Sequence, residues 1–448
     1  MKHNIKRLSL TLMVVAFCFN ALQAQSIRSY SLEQLKDAAL KNNHTLAIKE
    51  WQVKEKQAKF KEDEIKRYPS ATLNGNYQYN FNIGELTIPA GTIGELELSP
   101  GNSVLLPNVD KKFTIGEHNN YNVGVTAYQP ITQQAKIKTL LEIDKIDVQL
   151  TEKDRLKISL QVKQAIDRLY YGTLIAKKQL EEAEAKLALA KSKLTDVENA
   201  LQAGKTVTAD EAGLQANIAN EEQNIIKFNF QIQDYMGDLM TLTGINADSL
   251  NLEEVEPTTQ PLNLVDEYKN VATNSNTDLQ TANLTKSKAE LGIKAAKQSN
   301  RPDFGLMAGY AYQYGNPVLP SNNPFVGVNL KWELKDIFSN KHVISQRKLQ
   351  LKQAQENIIN TQEQVSNDIE KVYRKLNHTQ VLITAAQKTV VYRKEELKIQ
   401  EDKKAAGLNV QTDLLNAKSL LAKAEADMYS AQLSYMISLS DLKLLTGE

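Results

Sequence analysis

The chain has one cysteine, Cys18, and 5 histidines in 448 residues. Glycine (19) and proline (11) are also scarce, which speaks against a disordered or loop-rich scaffold and for long helices. Charge of one sign is missing as well: 54 Lys+Arg stand against 53 Asp+Glu. Phosphate binding normally leaves a basic excess, so nucleic acid is not an expected partner. Beyond the first 25 residues no run approaches the ~18 apolar residues that a membrane-spanning helix needs.

What is present begins with an export signal. Lys2, Lys6 and Arg7 precede the largely apolar run Leu8 to Phe19, and Ala21-Leu22-Gln23-Ala24 offers a cleavage region. Cleavage after Ala24 defines residues 1–24 as the signal peptide and removes Cys18. The mature chain then has no thiol, which excludes disulfides, iron-sulfur clusters and cysteine nucleophiles. It also carries 51 basic residues against 53 acidic ones. Lipid attachment through Cys18 is disfavoured, because Phe17 is bulky where such motifs carry a small residue.

The remainder is one unit used twice. At a shift of 233, Asn43 meets Asn276, Pro69 meets Pro302 and Tyr77 meets Tyr310. At a shift of 203, Ile166 meets Ile369, Gly204 meets Gly407, Asp210 meets Asp413 and Gly244 meets Gly447. The sequence therefore divides into a first repeat, 25–249, a linker, 250–262, and a second repeat, 263–448. The 30-residue difference between the registers is an insertion between 82 and 123, opposite 315–326. It echoes itself as Ile83-Gly84-Glu85-Leu86 and Ile93-Gly94-Glu95-Leu96, and reads as an extracellular hairpin extension.

Each repeat switches periodicity. Leu32 to Arg67 lacks Gly and Pro, with Ser31 and Gln34 spaced as a capping box, and reads as one helix, as does Leu264 to Asn300. After Pro69 the period becomes two, with Ala71, Leu73, Tyr77, Tyr79 and Phe81 alternating with Thr72, Asn74, Asn76, Gln78 and Asn80. Phe304, Leu306, Tyr310, Tyr312 and Tyr314 form one side of a further strand, and Val326, Val328, Leu330, Trp332 and Leu334 alternate in another. In the run Tyr121, Val123, Val125 and Ala127, Tyr128 breaks the pattern. Each run is about 10 residues, the length of a tilted strand crossing a bilayer in a barrel. A half-buried hairpin on a soluble core is the bland reading; the aromatic face opposite a polar one favours lipid outside and water inside.

The strands are followed by heptad seams such as Leu180, Ala183, Leu187, Ala190, Leu194, Val197 and Leu201. A seam from Leu214 to Leu242 recurs 203 residues later as Ala417, Leu421, Ala424, Met428, Ala431, Tyr435, Ser438, Leu442 and Leu445. Alternating Leu and Ala suit close helix layers. A helix from Gln134 to Gln202 would span roughly 100 Å, matched by two shorter ones in series. Four strands cannot close a barrel, and open edges in lipid leave backbone groups unpaired at several kcal/mol each. Three copies give twelve strands and a water-filled lumen, so a homotrimer is expected.

The export signal, Ser31-Leu32-Glu33-Gln34, the Tyr68-Pro69-Ser70 helix-to-strand step, the duplicated glycine turns and the Thr-Gly repeat ends resemble the TolC-like outer-membrane efflux proteins. The resemblance covers residues 31–448. It implies a mainly α fold of long helical hairpins forming a tunnel, with four transmembrane strands per chain completing a 12-stranded barrel in a trimer. It further implies a passive exit duct of a tripartite efflux or type I secretion system, sited in the outer membrane and reaching into the periplasm. Its partners would be a periplasmic adaptor and an inner-membrane transporter; no cofactor and no enzyme activity are implied. Ala203, Gly204 and Lys205, with Ala406, Gly407 and Leu408, correspond to adaptor-docking helix tips, and Asp210 and Asp413 to the periplasmic constriction. Tyr77, Tyr79, Phe81, Tyr310, Tyr312 and Trp332 are the expected membrane-facing aromatics. Lys404, Asn409 and Asn416 stand where relatives carry other residues, so the family's gate contacts do not transfer.

Other chemistry lacks support. Ala203-Gly204-Lys205-Thr206 has Asn199 where a phosphate loop needs glycine. The mature histidines, His44, His118, His342 and His378, are dispersed without metal-site spacing. Glu181-Glu182 and Glu395-Glu396 read as solvated helix faces. The rival assignment is a periplasmic coiled-coil scaffold or adaptor with a soluble β domain, which would be extracted without detergent.

Overall fold

A computed structural model describes residues 29–202, 208–245, 251–254, 259–316, 320–408 and 411–448; side chains of 208–210 fall outside the description. The elements run β1 (Ser29–Tyr30), α1 (Leu32–Asn42), α2 (His44–Ile65), β2 (Ser70–Tyr79), β3 (Gly84–Ile88), β4 (Gly94–Ser99), β5 (Asn102–Leu106), β6 (Lys111–Ile115), β7 (Asn119–Pro130), α3 (Gln134–Gln202) and α4 (Thr208–Thr243). They continue as β8 (Asn251–Leu252), α5 (Val265–Ser275), α6 (Thr277–Ser299), β9 (Asp303–Tyr314), β10 (Asn322–Lys331), α7 (Lys335–Ala405) and α8 (Gln411–Thr446). No helix among the described residues is long and apolar enough to cross a membrane. The chain forms two compact units: Met1–Lys54 with Gln149–Thr285 and Gln355–Glu448, and Glu55–Val148 with Lys286–Ala354.

The first unit is helical, and its core is built twice. One cluster gathers Leu35, Ala39, Leu46, Ile166, Tyr170 and Leu239; the other gathers Ala272, Leu279, Ile369, Tyr435 and Leu442. Ile166 and Ile369, 203 residues apart, are both fully buried, as the 3.6-residue period of a core-facing stripe requires. In α8 the seam residues Ala417, Ala424, Tyr435, Ser438 and Leu442 are buried. The polar one among them, Ser438, is satisfied by donating to the Ser434 carbonyl oxygen. Gly172 admits the Tyr235 ring, which would lie 3.0 Å from any added Cβ.

Two expectations of a single helix are corrected here. The run from Leu32 breaks at Asn43, and the run from Leu264 breaks at Asn276. Both asparagines take extended backbone angles and accept an N–H, from Leu46 and Leu279, on Oδ1. Each thereby ends one helix and caps the next, a role that asparagine performs better than most residues. Charge periodicity alone hid that break. Ser31 and Gln34 form the expected reciprocal capping box.

Buried polar groups tie α1, α3 and α8 together. Asp167 receives Lys36 Nζ at 2.7 Å and a hydrogen bond from Ser440 Oγ, while Asp441 accepts from Gln164 and Arg168. Two buried phenols fix Glu253 and Gln260: Tyr170 Oη donates to the Glu253 carbonyl oxygen at 2.5 Å and Tyr435 Oη to that of Gln260 at 2.9 Å. β1 and β8 add a parallel pair.

The second unit carries an antiparallel sheet ordered β10-β9-β7-β2, leaving β10 and β2 as its edges. The insertion read as a hairpin extension does consist of hairpins, and only its end bound at 123 is corrected. β7 begins at Asn119, and residues 84–115 form nested hairpins, β3 with β6 and β4 with β5. Leu334 and Trp332, expected within the last strand, follow its end at Lys331.

Candidate functional site

Register fixes the two faces of the sheet. Ala71, Ala127, Ala308 and Val326 lie side by side across all four strands. With period two, the same face carries Leu73, Val123, Val125, Leu306, Val328, Leu330 and Phe304. It carries Tyr77, Tyr79, Tyr310 and Tyr312 too. Tyr77, Tyr121 and Tyr314 share one row, where the Tyr121 ring stacks on Tyr314 at 5.1 Å. Phe81 lies two residues past β2, edge-on to Tyr79 at 5.3 Å, and Trp332 just past β10, its Nε1 donating to the Asn300 carbonyl oxygen. Aromatics thus concentrate toward the two ends of an aliphatic band, the pattern of interfacial girdles.

The opposite face is polar toward one end, holds Met307, Ala311 and Phe325 lower down, and is without Asp, Glu, Lys or Arg over most of its height. Asn76, Asn122 and Gln313 form one row across three strands, with Gln78 and Asn120 in the next. Charge appears at the base, where Asp303 faces Lys331 and holds Lys136 Nζ at 2.6 Å. Tyr128, which breaks the sequence alternation, belongs to this polar face. Its ring occupies the space where a Cβ on Gly305 would lie, and Phe325 does the same at Gly309. Glycines four residues apart inside a strand were the available signal, since such glycines mark close approach.

The described helix tip is a complete left-handed cap. Gly407 has φ +84° and donates to the Lys404 carbonyl oxygen, while Leu408 N–H donates to that of Lys403. These two bonds form a Schellman motif. Nothing lies within 4 Å of a Cβ built on Gly407; Ala406 and Leu408 are exposed. Lys404 Nζ donates to Gln411 Oε1, linking the ends of α7 and α8. Asp413 is exposed in the first turn of α8, beside Thr412, whose hydroxyl donates to Asp196. The companion tip Ala203, Gly204 and Lys205 lies outside the described residues, as does the Asp210 side chain. No cluster of metal-ligating side chains occurs among the described residues.

The profile of the family described as "Outer membrane efflux protein" matches residues 35–245 and 270–448. The chain belongs to that family. Solved structures share the fold: VceC, an outer membrane protein of Vibrio cholerae, has 15% identity and a TM-score of 0.70 over 93% of this chain and 96% of its own. The CmeC outer membrane channel of Campylobacter jejuni has 16% identity and a TM-score of 0.70 over 93% and 85%. The MtrE outer membrane channel of Neisseria gonorrhoeae, in its open state, has 17% identity and a TM-score of 0.66 over 93% and 88%. None of the curated proteins matches. This efflux protein is mainly helical with a smaller strand part, and its family places it at the outer membrane.

Below the sheet, the efflux protein carries an acidic pair. Lys66 Nζ at 2.5 Å, the first cause, and Lys59 at 3.3 Å hold Asp63 below its ordinary carboxylate range. Burial, then the neighbouring Asp63, pushes Asp144 up to about 6. Between about pH 4 and 6 the folded chain retains a proton on Asp144 that the unfolded chain has lost, so stability falls as pH rises through that window. Asp63 acts oppositely, its contribution lost as pH falls below about 4. Asp144→Asn keeps a donor toward Asp63 and should flatten the pH 4–6 slope of Tm, gaining about 1–2 kcal/mol above pH 6. Thermal unfolding of the purified protein across pH checks this.

Proposed function

We propose that three copies close a 12-stranded barrel, β2 of one pairing with β10 of the next, as the passive exit of a tripartite efflux or type I secretion system. The observation that carries this reading is the two-faced sheet: aliphatic and aromatic on one side, carboxamide on the other, with two strand edges unpaired within the chain. Unpaired edges in hydrocarbon cost several kcal/mol per group, and barrels abolish them. In this arrangement Tyr77, Tyr79, Phe81, Tyr310, Tyr312 and Trp332 meet lipid. The carboxamide rows meet water. Residues 1–24 are the cleaved signal, 25–249 and 263–448 the two repeats, and 250–262 their linker.

The tips Ala203-Gly204-Lys205 and Ala406-Gly407-Leu408 dock a periplasmic adaptor, which joins the duct to an inner-membrane transporter, and Asp210 and Asp413 ring the periplasmic entrance. The duct has no catalysis of its own; the pump supplies the energy. Deleting the gene should raise cellular retention of cargo, with complementation by wild type and not by a tip variant. Retention unchanged by deletion would sink the efflux reading. For the entrance, Asp413→Ala removes three carboxylates from a narrow ring and should lower cation over anion preference in planar-bilayer recordings. Identical reversal potentials would reduce Asp413 to a helix-start residue favoured by the macrodipole.

A further inference from the structure

The two repeats are not equally complete. In the first, the core around Ile166 and Tyr170 of α3 is finished by a helix of the other repeat: Leu433 of α8 is fully buried in it, with Tyr429 packed alongside. Subtracting 203 places Phe230 and Ile226 of α4 at the corresponding positions. These two are 61% and 55% exposed. They line an open groove of about 470 Å³ with Gln223, Asp234 and Tyr235. Among the described residues, the second core, around Ile369 of α7, holds no residue of α4, the helix that would correspond.

The polar contacts show the same mismatch. Arg168 and Gln164 of α3 both donate to Asp441 of α8, the guanidinium at 2.8 Å. Their counterparts are Lys371 and Asn367 on α7 and Asp238 on α4, so base, carboxamide and acid keep their places. Yet Asp238 is exposed without an ion pair among the described residues, and Lys371 pairs with Asp368 of its own helix, both exposed. Further along α3, Lys178 Nζ lies 6.0 Å over the Tyr429 ring. The counterparts are Val381 and Ile226, an aliphatic pair, with Val381 70% exposed. Where one side of the contact changes character, the other changes with it.

We propose that α4 of one copy seats on α7 of the next in the register that α8 takes on α3 within the chain. Asp238 then lies beside Lys371 and Asn367, Ile226 rests on Val381, and Phe230 completes the Ile369 core. This rests on the assembly of three copies proposed above and names the helix faces that carry it. A repeat buries its open face on a neighbouring repeat, and the chain itself displays the geometry once. Lipid does not fit a face that sets a carboxylate opposite an ammonium ion. The contact is heterologous, one surface meeting a different one, so it closes a ring or runs on as a filament. Strand closure selects the ring.

In a Cys18→Ser background no native thiol competes, which makes cross-linking direct. Ile226→Cys and Val381→Cys, combined in one full-length chain and treated with a short bis-maleimide in cells, should give covalent dimers and trimers. Either change alone should give none. Tyr392 is exposed on the same side of α7 as Val381 but ~16 Å further along, so Ile226→Cys with Tyr392→Cys should give none either. No linked species from the Ile226 and Val381 pair, in particles that still hold three chains, would mean that another occupant covers the face, and would overturn the helix contact while leaving the barrel. Equal linking through Tyr392 would overturn the register. Single chains of wild-type protein would remove trimer and contact together. A second arm needs no cysteine: Asp238→Lys sets like charges opposite each other at every junction and should lower assembled oligomer at least roughly tenfold, and adding Lys371→Glu should restore most of it. An unchanged yield, or a loss that Lys371→Glu does not restore, would overturn the pairing.

Discussion

Val125→Arg should empty the outer membrane of assembled protein, whereas Thr126→Arg, one residue further along β7, should assemble. The two positions point to opposite faces of the same strand. Val125 sits in the aliphatic band, beside Leu73 and Tyr310. Arginine near the bilayer midplane on a barrel's lipid face costs roughly 2–4 kcal/mol per copy, and a closed barrel of three copies meets that cost three times. Thr126 is on the face without formal charge, next to Gly309. There, three guanidinium groups meet water and should turn conduction toward anions. The readouts are heat-resistant oligomer in outer-membrane fractions and reversal potential in planar bilayers. Equal assembly of both variants would contradict the two-sided sheet.

The second large effect is expected at the tip. Gly407→Pro cannot keep φ +84°, because proline is fixed near −65°, and it also deletes the N–H that donates to Lys404. With the matching Gly204→Pro, efflux should fall to the level of the gene deletion while the oligomer forms normally, since no core side chain lies near Gly407. Gly407→Asn, which tolerates the left-handed region, should retain efflux. Drug or metal accumulation measurements distinguish the two. Full efflux in the proline pair would remove adaptor docking from these tips.

Long-range order was legible where a repeat made it redundant. The bounds of Gln134–Gln202 and the strand faces follow from periods of 3.6 and 2 sustained over many residues. What escaped was carried by single residues. Asn43 and Asn276 interrupt helices through their own side-chain acceptors, which periodicity cannot register. Tyr128 looked like a defect because the compensating Gly305 is distant in sequence and adjacent only once β7 and β9 pair. The Asp63–Asp144 pair lies 81 positions apart on two helices that the charge pattern renders as ordinary solvated faces. The tip was readable at Gly407, where φ must be positive and glycine alone adopts it without strain.

Closure by identical copies underlies everything proposed for the duct. Native mass measurement of the protein extracted from outer membranes in mild detergent tests it most directly. Three chains per particle, released only with detergent, is the predicted result. A single chain recovered in the aqueous fraction would contradict it.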